Sequence, residues 1–308
     1  MQVSIIGNHI SVGFFIFLIG SFVIGVAATI LQVVLNLYLT VCRIGKTTAL
    51  QRQMIGGTSN SIGMAIAPLV ISYLIFHGTP LHDIVTKQFI IPLIVLILIM
   101  LIITLLVGKT QMPSIDNVRQ APGEKFDKSV WSFRNLKLGV WGIFFYVGIE
   151  VAVGANVNMY ASELGGSFAS NATHMAALYW GLLLLGRFLG SFIKQVPSEK
   201  QLVIASIGAI VLLMLAMLTA NPWILTLIGF FHSIMWPAIF TLATDQLGKY
   251  TTKASGVLTM GVIGGGIIPL LQGIFADVMG GNWLWTWLLI IAGEAYILYY
   301  GLNGYKQH

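Results

Sequence analysis

Nine apolar runs constrain this chain more than any other feature of its sequence. A hydrocarbon core of about 30 Å is crossed by about 20 helical residues. Only 8% of the residues are charged and 57% are hydrophobic, whereas a soluble domain carries roughly 25% charge. The sequence therefore predicts an all-α integral membrane protein. The predicted spans are 12–41, 54–76, 88–108, 138–160, 172–193, 201–220, 222–243, 255–279 and 283–302.

The basic residues predict the orientation of these spans. If the N-terminus lies outside and the spans alternate, all of the 16 Lys and Arg residues except Lys87 fall on the cytoplasmic side. Cytoplasmic loops of membrane proteins carry such an excess. We therefore expect a plasma (inner) membrane protein with its N-terminus outside and its C-terminus in the cytoplasm. The net charge of +6 then belongs to these loops and does not indicate nucleic-acid binding.

Part of the chain occurs twice. Residues 32–69 resemble residues 233–270 at a shift of 201 positions, so that Pro68 falls on Pro269. Each copy reads as the end of one span, a turn with a Gly-Lys pair, and the start of the next span. Both copies cross the predicted membrane in the same directions. Parallel repeats of this kind are typical of transporters built from two similar helix bundles with a site between them.

A polar stretch divides the spans unequally. Residues 109–135 are predicted to form a cytoplasmic linker between a partial N-terminal bundle of three spans, 1–108, and a C-terminal six-helix bundle, 136–308. The second copy of the repeat has three spans before it in its own bundle, whereas the first copy has none. We therefore expect the chain to correspond to helices 4–12 of a twelve-helix transporter lacking its first three helices.

Six motifs together resemble a known family. They are ILQVVLNLYLT (30–40), GGTSNSIG (56–63), FYVGIEVAVGANVNMY (145–160), GRFLGSF (186–192), WPAIFTLA (236–243) and VIGGGIIPLLQGIFAD (262–277). Their order and spacing resemble the major facilitator superfamily (MFS) and, within it, the fucose–galactose–glucose:proton symporter family. The resemblance implies an MFS-type helical bundle that carries a hexose-like sugar by alternating access. It also implies uptake coupled to a proton, with sodium as the alternative ion, and a monomer unless another chain completes the N-terminal bundle.

Three amides in the first two spans are candidate sugar ligands. Gln32 and Asn36 lie four residues apart on one helix face, and Asn60 lies in the GGTSNSIG motif. Polar groups within a membrane are costly and tend to face a cavity or a partner helix. The family often has a glutamate at position 32 and Asn-Pro at 36–37. Here Gln and Asn-Leu stand instead, so residue 32 cannot titrate but can hydrogen-bond sugar hydroxyls. Hydrogen bonding between helices is the alternative role for all three.

Charged groups of the C-terminal spans are candidates for binding or coupling. Glu150 lies about twelve residues into a span, where an ionised carboxylate must pair, face water or take up a proton. It is predicted to bind substrate or couple transport, with a structural ion pair as the alternative. Asn158, on roughly the same side of that helix, is a further sugar ligand. Arg187 is expected to close the inward gate by charge pairing, as its motif implies, and Asp245 is expected at a gate or at the membrane interface.

One aromatic residue and one glycine cluster complete the prediction. Trp236 is expected to stack on the apolar face of a sugar, four residues after His232, although packing would explain it equally well. Glu294 is expected to have a structural, interhelical role. A hinge is predicted at a run of small residues before a proline, where a helix can bend or admit a close neighbour. The hinge residues are Gly264, Gly265, Gly266 and Pro269.

Motifs of other functional classes are absent from the sequence. It contains no dinucleotide motif in a strand–helix context, no nucleophile elbow, no phosphate loop and no cluster of metal-ligand spacing. We therefore predict no enzyme activity, no cofactor and no metal site. Three alternatives to sugar transport stay open: a truncated carrier that does not transport, the same fold carrying another small polar solute, and a membrane sensor that uses the linker to contact a partner.

Overall fold

The computed structural model describes residues 12–42, 45–69, 90–110 and 126–307, and the regular elements in these ranges are all helices. Short 3-10 turns join several of them. The helices are α1 (Val12–Val41), α2 (Ala49–Leu69), α3 (Ile90–Lys109), α4 (Arg134–Leu164), α5 (Gly166–Ser170), α6 (Ala172–Gly190), α7 (Ser198–Thr219), α8 (Pro222–His232), α9 (Met235–Thr244), α10 (Thr251–Thr259), α11 (Gly264–Val278) and α12 (Trp287–Tyr299).

The predicted number of membrane spans is confirmed only in part. Within the described ranges, seven helical stretches are long and apolar enough to cross a membrane, and two of them join α8 to α9 and α10 to α11. The predicted spans 54–76 and 172–193 correspond to α2 and α6, which do not qualify. Residues 70–76 of the first lie outside the described residues. Both helices carry polar side chains that face the protein interior, which lowers their mean hydropathy. The count of nine spans is therefore not confirmed.

Helix α4 is the central element of the fold. It packs against α6, α8, α9, α11 and α12. Small residues allow the closest of these contacts: a Cβ added to Gly148 would overlap Ile268 of α11, and one added to Gly154 would overlap Trp180 of α6. Lipid provides no hydrophobic drive between helices, so close packing and hydrogen bonds must hold such a bundle together. Large fully buried side chains, including Tyr146 of α4, fill the remaining space.

The two repeat copies form similar helical hairpins. The turn of each contains a glycine in the left-handed region, Gly45 at φ 53° and Gly248 at φ 51°, where a side chain would be strained. In each copy, a side chain donates hydrogen bonds to the last main-chain carbonyls of the hairpin's first helix, but the donor differs. In the first, Arg52 donates to three main-chain oxygens at 2.7 Å, two of them in α1. In the second, the amide of Asn135 donates to three main-chain oxygens at the end of α9, each at 3.3 Å.

Only part of α1 to α3 packs on the helices that follow Arg134. No side chain of α3 is buried, and the described side chains of α1 are exposed as far as Gln32. In contrast, α2 packs against α6 and α9, and the last turns of α1 pack against α10. The predicted linker lies at 109–135, of which residues 111–125 are outside the described residues, so the boundaries between the two bundles stay a prediction.

Candidate functional site

A mainly apolar pocket with several polar groups in its wall lies where α1 and α2 meet the later helices. Its volume is about 490 Å³, which is within the usual range for small-molecule sites. It is lined by Ala28, Leu31, Gln32, Leu35, Asn36, Leu39, Gln53, Gly56, Gly57, Asn60, Val147, Glu150, Val151, Trp180, Arg187, Trp236, Pro237 and Val262.

Six of the side chains predicted from the sequence line this one pocket. Three come from the first two helices and three from α4, α6 and α9, so the pocket lies between the first copy of the repeat and the helices of the C-terminal part. Amides predominate on one side, and an ion pair and an indole ring lie on the other. The six residues are Gln32, Asn36, Asn60, Glu150, Arg187 and Trp236.

Arg187 connects both sides of the pocket. Its Nη2 donates to Oε1 of Glu150 at 3.1 Å, and its Nη1 donates to Oγ of Ser61 in α2 at 2.8 Å. The side chains of the ion pair are only 10% and 14% exposed. Gly57 makes room for the guanidinium stem, because a Cβ there would lie 3.2 Å from Cδ of Arg187. Glu150 is therefore a paired carboxylate at the pocket wall, and Arg187 holds α2 against α6.

The amide side of the pocket is fixed by a second set of hydrogen bonds. Nε2 of Gln53 donates to the main-chain oxygen of Asn36 at 2.9 Å and to Oγ1 of Thr40 at 2.9 Å. These bonds hold α1 against α2 where Asn36 lies. The side chain of Gln32, one turn before Asn36 in α1, is exposed. The side chains at 32 and 36 thus project from a braced hairpin.

Trp236 lies in an aromatic group at a break between two helices. Helix α8 ends at His232 and α9 begins at Met235, so a two-residue interruption separates the two helices. Trp236 stacks on Phe240 with the ring centroids 6.1 Å apart and approaches Tyr146 at 6.5 Å. These neighbours cover part of the indole, and another part lines the pocket. Both roles weighed for Trp236, packing and facing the cavity, therefore apply to its position.

His232 does not line the pocket with Trp236. Its imidazole is buried between three helices: Nδ1 lies 2.7 Å from the hydroxyl of Tyr179 in α6, and Nε2 lies 2.7 Å from Oε1 of Glu294 in α12. The side chains of His232 and Glu294 are both 0% exposed. The hydroxyl of Tyr179 also lies 3.1 Å from the main-chain oxygen of Glu150. Glu294 thus has the interhelical contact expected for it, with a partner that the sequence did not indicate.

Two predicted residues lie away from the pocket. Asn158 is on α4 but outside the pocket lining, and its Oδ1 is buried without a hydrogen-bond partner among the described residues. Asp245 is exposed at the end of α9, where its main-chain oxygen accepts from Asn135 at 3.3 Å and from Gln307 at 3.0 Å. The structure therefore does not bring either residue to the six that share the pocket.

The predicted hinge coincides with an irregular stretch of helix. A 3-10 turn at Met260–Ile263 separates α10 from α11. A Cβ at Gly264 would overlap the main-chain oxygen of Phe144 in α4, one at Gly265 would lie 3.0 Å from Val147, and one at Gly266 would meet nothing within 4 Å. Gly264 is therefore a point of close approach between helices.

The remaining hinge residue lies inside α11. Pro269 is five residues after the helix begins, and a proline there removes one main-chain hydrogen bond. The equivalent region of the first copy differs, because α2 runs as one helix from Ala49 to Leu69.

Three residues at the site were missed by the sequence reasoning. Ser61, which binds Arg187, stands beside Asn60 in the GGTSNSIG motif. Trp180 lines the pocket seven residues before Arg187, a spacing that places both on one face of α6. Tyr146 precedes Glu150 by four residues and was detectable in the same way. In the described ranges, no group of three or more His, Cys, Asp or Glu side chains is placed to hold a metal ion.

Sequence comparison identifies relatives of this chain. It is 33% identical over 312 residues to a putative glucose/galactose transporter of Helicobacter pylori, covering 96% of this chain and 75% of that protein. It is 34% identical over 301 residues to a glucose/galactose transporter of Brucella abortus, covering 95% of this chain and 72% of that protein. It is 26% identical to the L-fucose-proton symporter of Escherichia coli, covering 86% of this chain and 66% of that protein.

The fold and a family match agree with these relatives. The structure resembles the crystal structure of FucP, described as a major facilitator superfamily transporter in the outward conformation, with a TM-score of 0.80 over 94% of this chain and 76% of that chain at 23% identity. The family described as Major Facilitator Superfamily matches residues 3–269. The predicted fold class and family are confirmed: the chain is an all-α integral membrane protein and belongs to the major facilitator superfamily.

Proposed function

We propose that this chain carries a hexose-like sugar, of the glucose, galactose or fucose type, across the membrane by alternating access. The observation that carries the proposal is the pocket between α1–α2 and the later helices. The relatives of this chain are described as glucose/galactose transporters and an L-fucose-proton symporter. The protein is a carrier and not an enzyme.

The chemistry of the pocket supports a polyol as its occupant. A hexose presents several hydroxyls, each a donor and an acceptor, and a less polar ring face. Amide groups of Gln32, Asn36 and Asn60 supply donors and acceptors together. The carboxylate of Glu150 accepts strongly, and the ring of Trp236 offers an apolar surface for the ring face of a sugar.

The contacts between the two sides of the pocket support alternating access. Beside the bond from Arg187 to Ser61, Gln51 donates to the main-chain oxygen of Ser191 at 3.0 Å, and Ser255 donates to that of Val33 at 3.1 Å. The Ser255 bond lies deeper, eight residues before the end of α1, and the Gln51 bond lies at the end of the bundle where α1 ends and α2 begins. Under the predicted orientation that end is cytoplasmic, so this conformation is closed toward the cytoplasm. The bundles would rock apart there, with α10–α11 bending near Gly264, Gly265, Gly266 and Pro269.

Coupling to a proton is proposed from the relatives, with sodium as the alternative ion. Gln32 cannot titrate, and Glu150 is the carboxyl group that lines the pocket among the described residues, so we propose Glu150 as a coupling residue. The ion pair between Arg187 and Glu150 would break or form as the sugar enters or leaves the pocket. Asp245 would serve as an exposed gate contact near the cytoplasmic end, and Asn158 would meet the sugar only in another conformation.

The remaining features of the proposal concern the whole protein. It would lie in the plasma (inner) membrane with the N-terminus outside, the C-terminus in the cytoplasm and basic loops inside. Residues 1–108 and 136–308 would move as two bundles joined by the linker 109–135. It would act as a monomer unless another chain completes the N-terminal bundle.

Uptake of radiolabelled hexoses by purified protein in liposomes tests the proposal. Wild type is expected to take up at least one of D-glucose, D-galactose and L-fucose, with competition by the unlabelled sugar. Glu150→Gln is expected to lose uptake by at least about tenfold, since a charged hydrogen bond is worth about 1.5–3 kcal/mol. Glu163→Gln is the matched control, because Glu163 is an exposed carboxylate on the same helix. No uptake of any hexose by stable, reconstituted wild type would refute sugar transport.

A further inference from the structure

A continuous hydrogen-bonded chain runs through the C-terminal helices, behind the pocket. It joins Oε1 of Glu294 to Nε2 of His232 at 2.7 Å, Nδ1 of His232 to the hydroxyl of Tyr179 at 2.7 Å, and that hydroxyl to the main-chain oxygen of Glu150 at 3.1 Å. The four residues belong to α12, α8, α6 and α4. We propose that His232 and Glu294 form a proton-binding site whose occupancy is transmitted to the pocket by the Tyr179 hydroxyl. This inference rests on the proposed function and adds to it the place where the coupled proton binds.

Counting protons along the chain gives two states. The hydroxyl of Tyr179 has one proton and two acceptors within reach. If it donates to Nδ1 of His232, the imidazole is neutral, its Nε2–H donates to the Glu294 carboxylate, and the pair carries one negative charge. If one proton is added, Nδ1 becomes a donor to the tyrosine oxygen, and the second proton lies between Nε2 and the now neutralised Glu294. The Tyr179 hydroxyl must then donate to the main-chain oxygen of Glu150.

The burial and the contacts of the pair support a site that holds one proton. Both side chains are 0% exposed, and Oε2 of Glu294 has no hydrogen-bond partner among the described residues. An unneutralised buried carboxylate is costly, whereas a carboxyl–imidazole pair holding the extra proton is neutral. The titratable groups that face the pair in the described part of the chain are Tyr146, whose ring lies edge-on to His232 at 6.3 Å, and Tyr179. The charges of Glu150 and Arg187, on the far side of Tyr179 from the pair, act on the Tyr179 hydroxyl.

The tyrosine connects this pair to the pocket. Tyr179 is followed by Trp180, which lines the pocket, and α6 also supplies Arg187. In the protonated state its hydroxyl bonds α6 to α4 at Glu150, the residue whose side chain pairs with Arg187. In the deprotonated state that bond is lost, and the hydroxyl keeps only its bond to His232 of α8, which is present in both states with the direction of donation reversed. Proton binding therefore decides whether α4 and α6 are bonded together behind the Glu150–Arg187 pair.

Two transport assays on the same liposomes test the site. Counterflow exchanges labelled for unlabelled hexose and needs no net proton movement, whereas accumulation driven by a pH gradient does. For one proton per sugar, a gradient of about one pH unit supports about tenfold accumulation. Glu294→Gln is expected to keep counterflow within about twofold of wild type and to lose the whole of the roughly tenfold accumulation. Tyr179→Phe, which keeps the proton site but removes the hydroxyl, is expected to lose accumulation as well.

Tyr160→Phe is the matched control for the tyrosine. Tyr160 is a buried tyrosine of α4 whose hydroxyl has no partner among the described residues, and its variant is expected to behave as wild type in both assays. Wild-type accumulation in Glu294→Gln or in Tyr179→Phe would overturn the proposal. So would equal loss of counterflow and accumulation in both variants, since that result indicates a purely structural pair.

A measurement without sugar separates this site from the sugar assignment. Infrared difference spectra of the purified protein between low and high pH are expected to show a protonated carboxyl band that Glu294→Gln removes and Glu163→Gln retains. If wild type carries no hexose but the band behaves as expected, the proposed function fails and the proton site stands. If wild type carries hexose without protons, or the band survives in Glu294→Gln, the proton site fails and the carrier stands.

Discussion

Alanine substitutions at Gly264 and at Gly266, two residues apart in α11, should have opposite effects on stability. Gly264→Ala should lower it and Gly266→Ala should raise it. A Cβ at Gly264 would overlap the main-chain oxygen of Phe144 and lie 2.7 Å from its carbonyl carbon. Main chain inside a packed helix cannot rotate away, so α4 and α11 must separate. A Cβ at Gly266 meets nothing within 4 Å. Both variants gain the same helix propensity, about 1 kcal/mol, so their difference measures the overlap alone.

The expected difference is near the upper end of the cost of overpacking, about 3 kcal/mol. Since a helical domain melts roughly 2–4 °C lower per kcal/mol, Gly264→Ala should melt at least about 6 °C below Gly266→Ala. Fluorescence-detected size exclusion after heating in detergent measures both. Equal melting temperatures would refute the close approach of α4 and α11. Uptake by the stable Gly266→Ala variant then tests the hinge separately, because a hinge role predicts slower transport without loss of stability.

The other predictions use the same liposome and melting assays. Trp236→Ala is expected to raise the KM for hexose by about tenfold, from the loss of up to about 1.5 kcal/mol of ring contact; Trp236→Phe should raise it less, and the exposed Trp141→Ala not at all. Gln32→Ala should weaken sugar binding by about 0.5–1.5 kcal/mol with no change in melting, and unchanged affinity would remove Gln32 from the site. Arg52→Gln should lower stability by at least about 2 kcal/mol through the loss of its carbonyl contacts, and Lys253→Gln, at the equivalent repeat position, should lower it less.

The pocket residues that were predictable from the sequence share one property. Gln32, Asn36 and Glu150 are polar side chains inside apolar runs, and a lipid environment makes such residues conspicuous. Trp180 and Tyr146 were missed because an aromatic ring in a membrane helix is ordinary, and only its distance from a polar residue on the same face distinguishes it. The spacing along the helix does show which aromatic residues share a face with a polar residue, but only after that polar residue has been chosen as a site candidate.

Contacts between distant helices could not be predicted in this way. His232 and Glu294 are 62 positions apart in the sequence. Their pairing depends on how α8 and α12 each pack against α4. Sequence reasoning placed His232 with Trp236 from their spacing of four. Tyr146 does lie against both rings, but His232 is hydrogen-bonded away from the pocket whereas Trp236 lines it. The span count differed for a related reason: α2 and α6 are the polar helices that line the site, and average hydropathy undervalues such helices.

Among the described residues, the first two helices are joined to the later ones by three bonds already named, Arg187 to Ser61, Gln51 to Ser191 and Ser255 to Val33. Their strength bears on how often the molecule can change shape. Two join neutral groups, at about 1 kcal/mol each, and the third uses a guanidinium, at about 1.5–3 kcal/mol. Their sum, about 4 kcal/mol, corresponds to a minor state occupied roughly once in a thousand. A solute that makes about four further neutral hydrogen bonds in the opposite state, at about 1 kcal/mol each, balances that difference. The polar part of the closure is thus weak enough for a small uncharged ligand to reverse by its own binding.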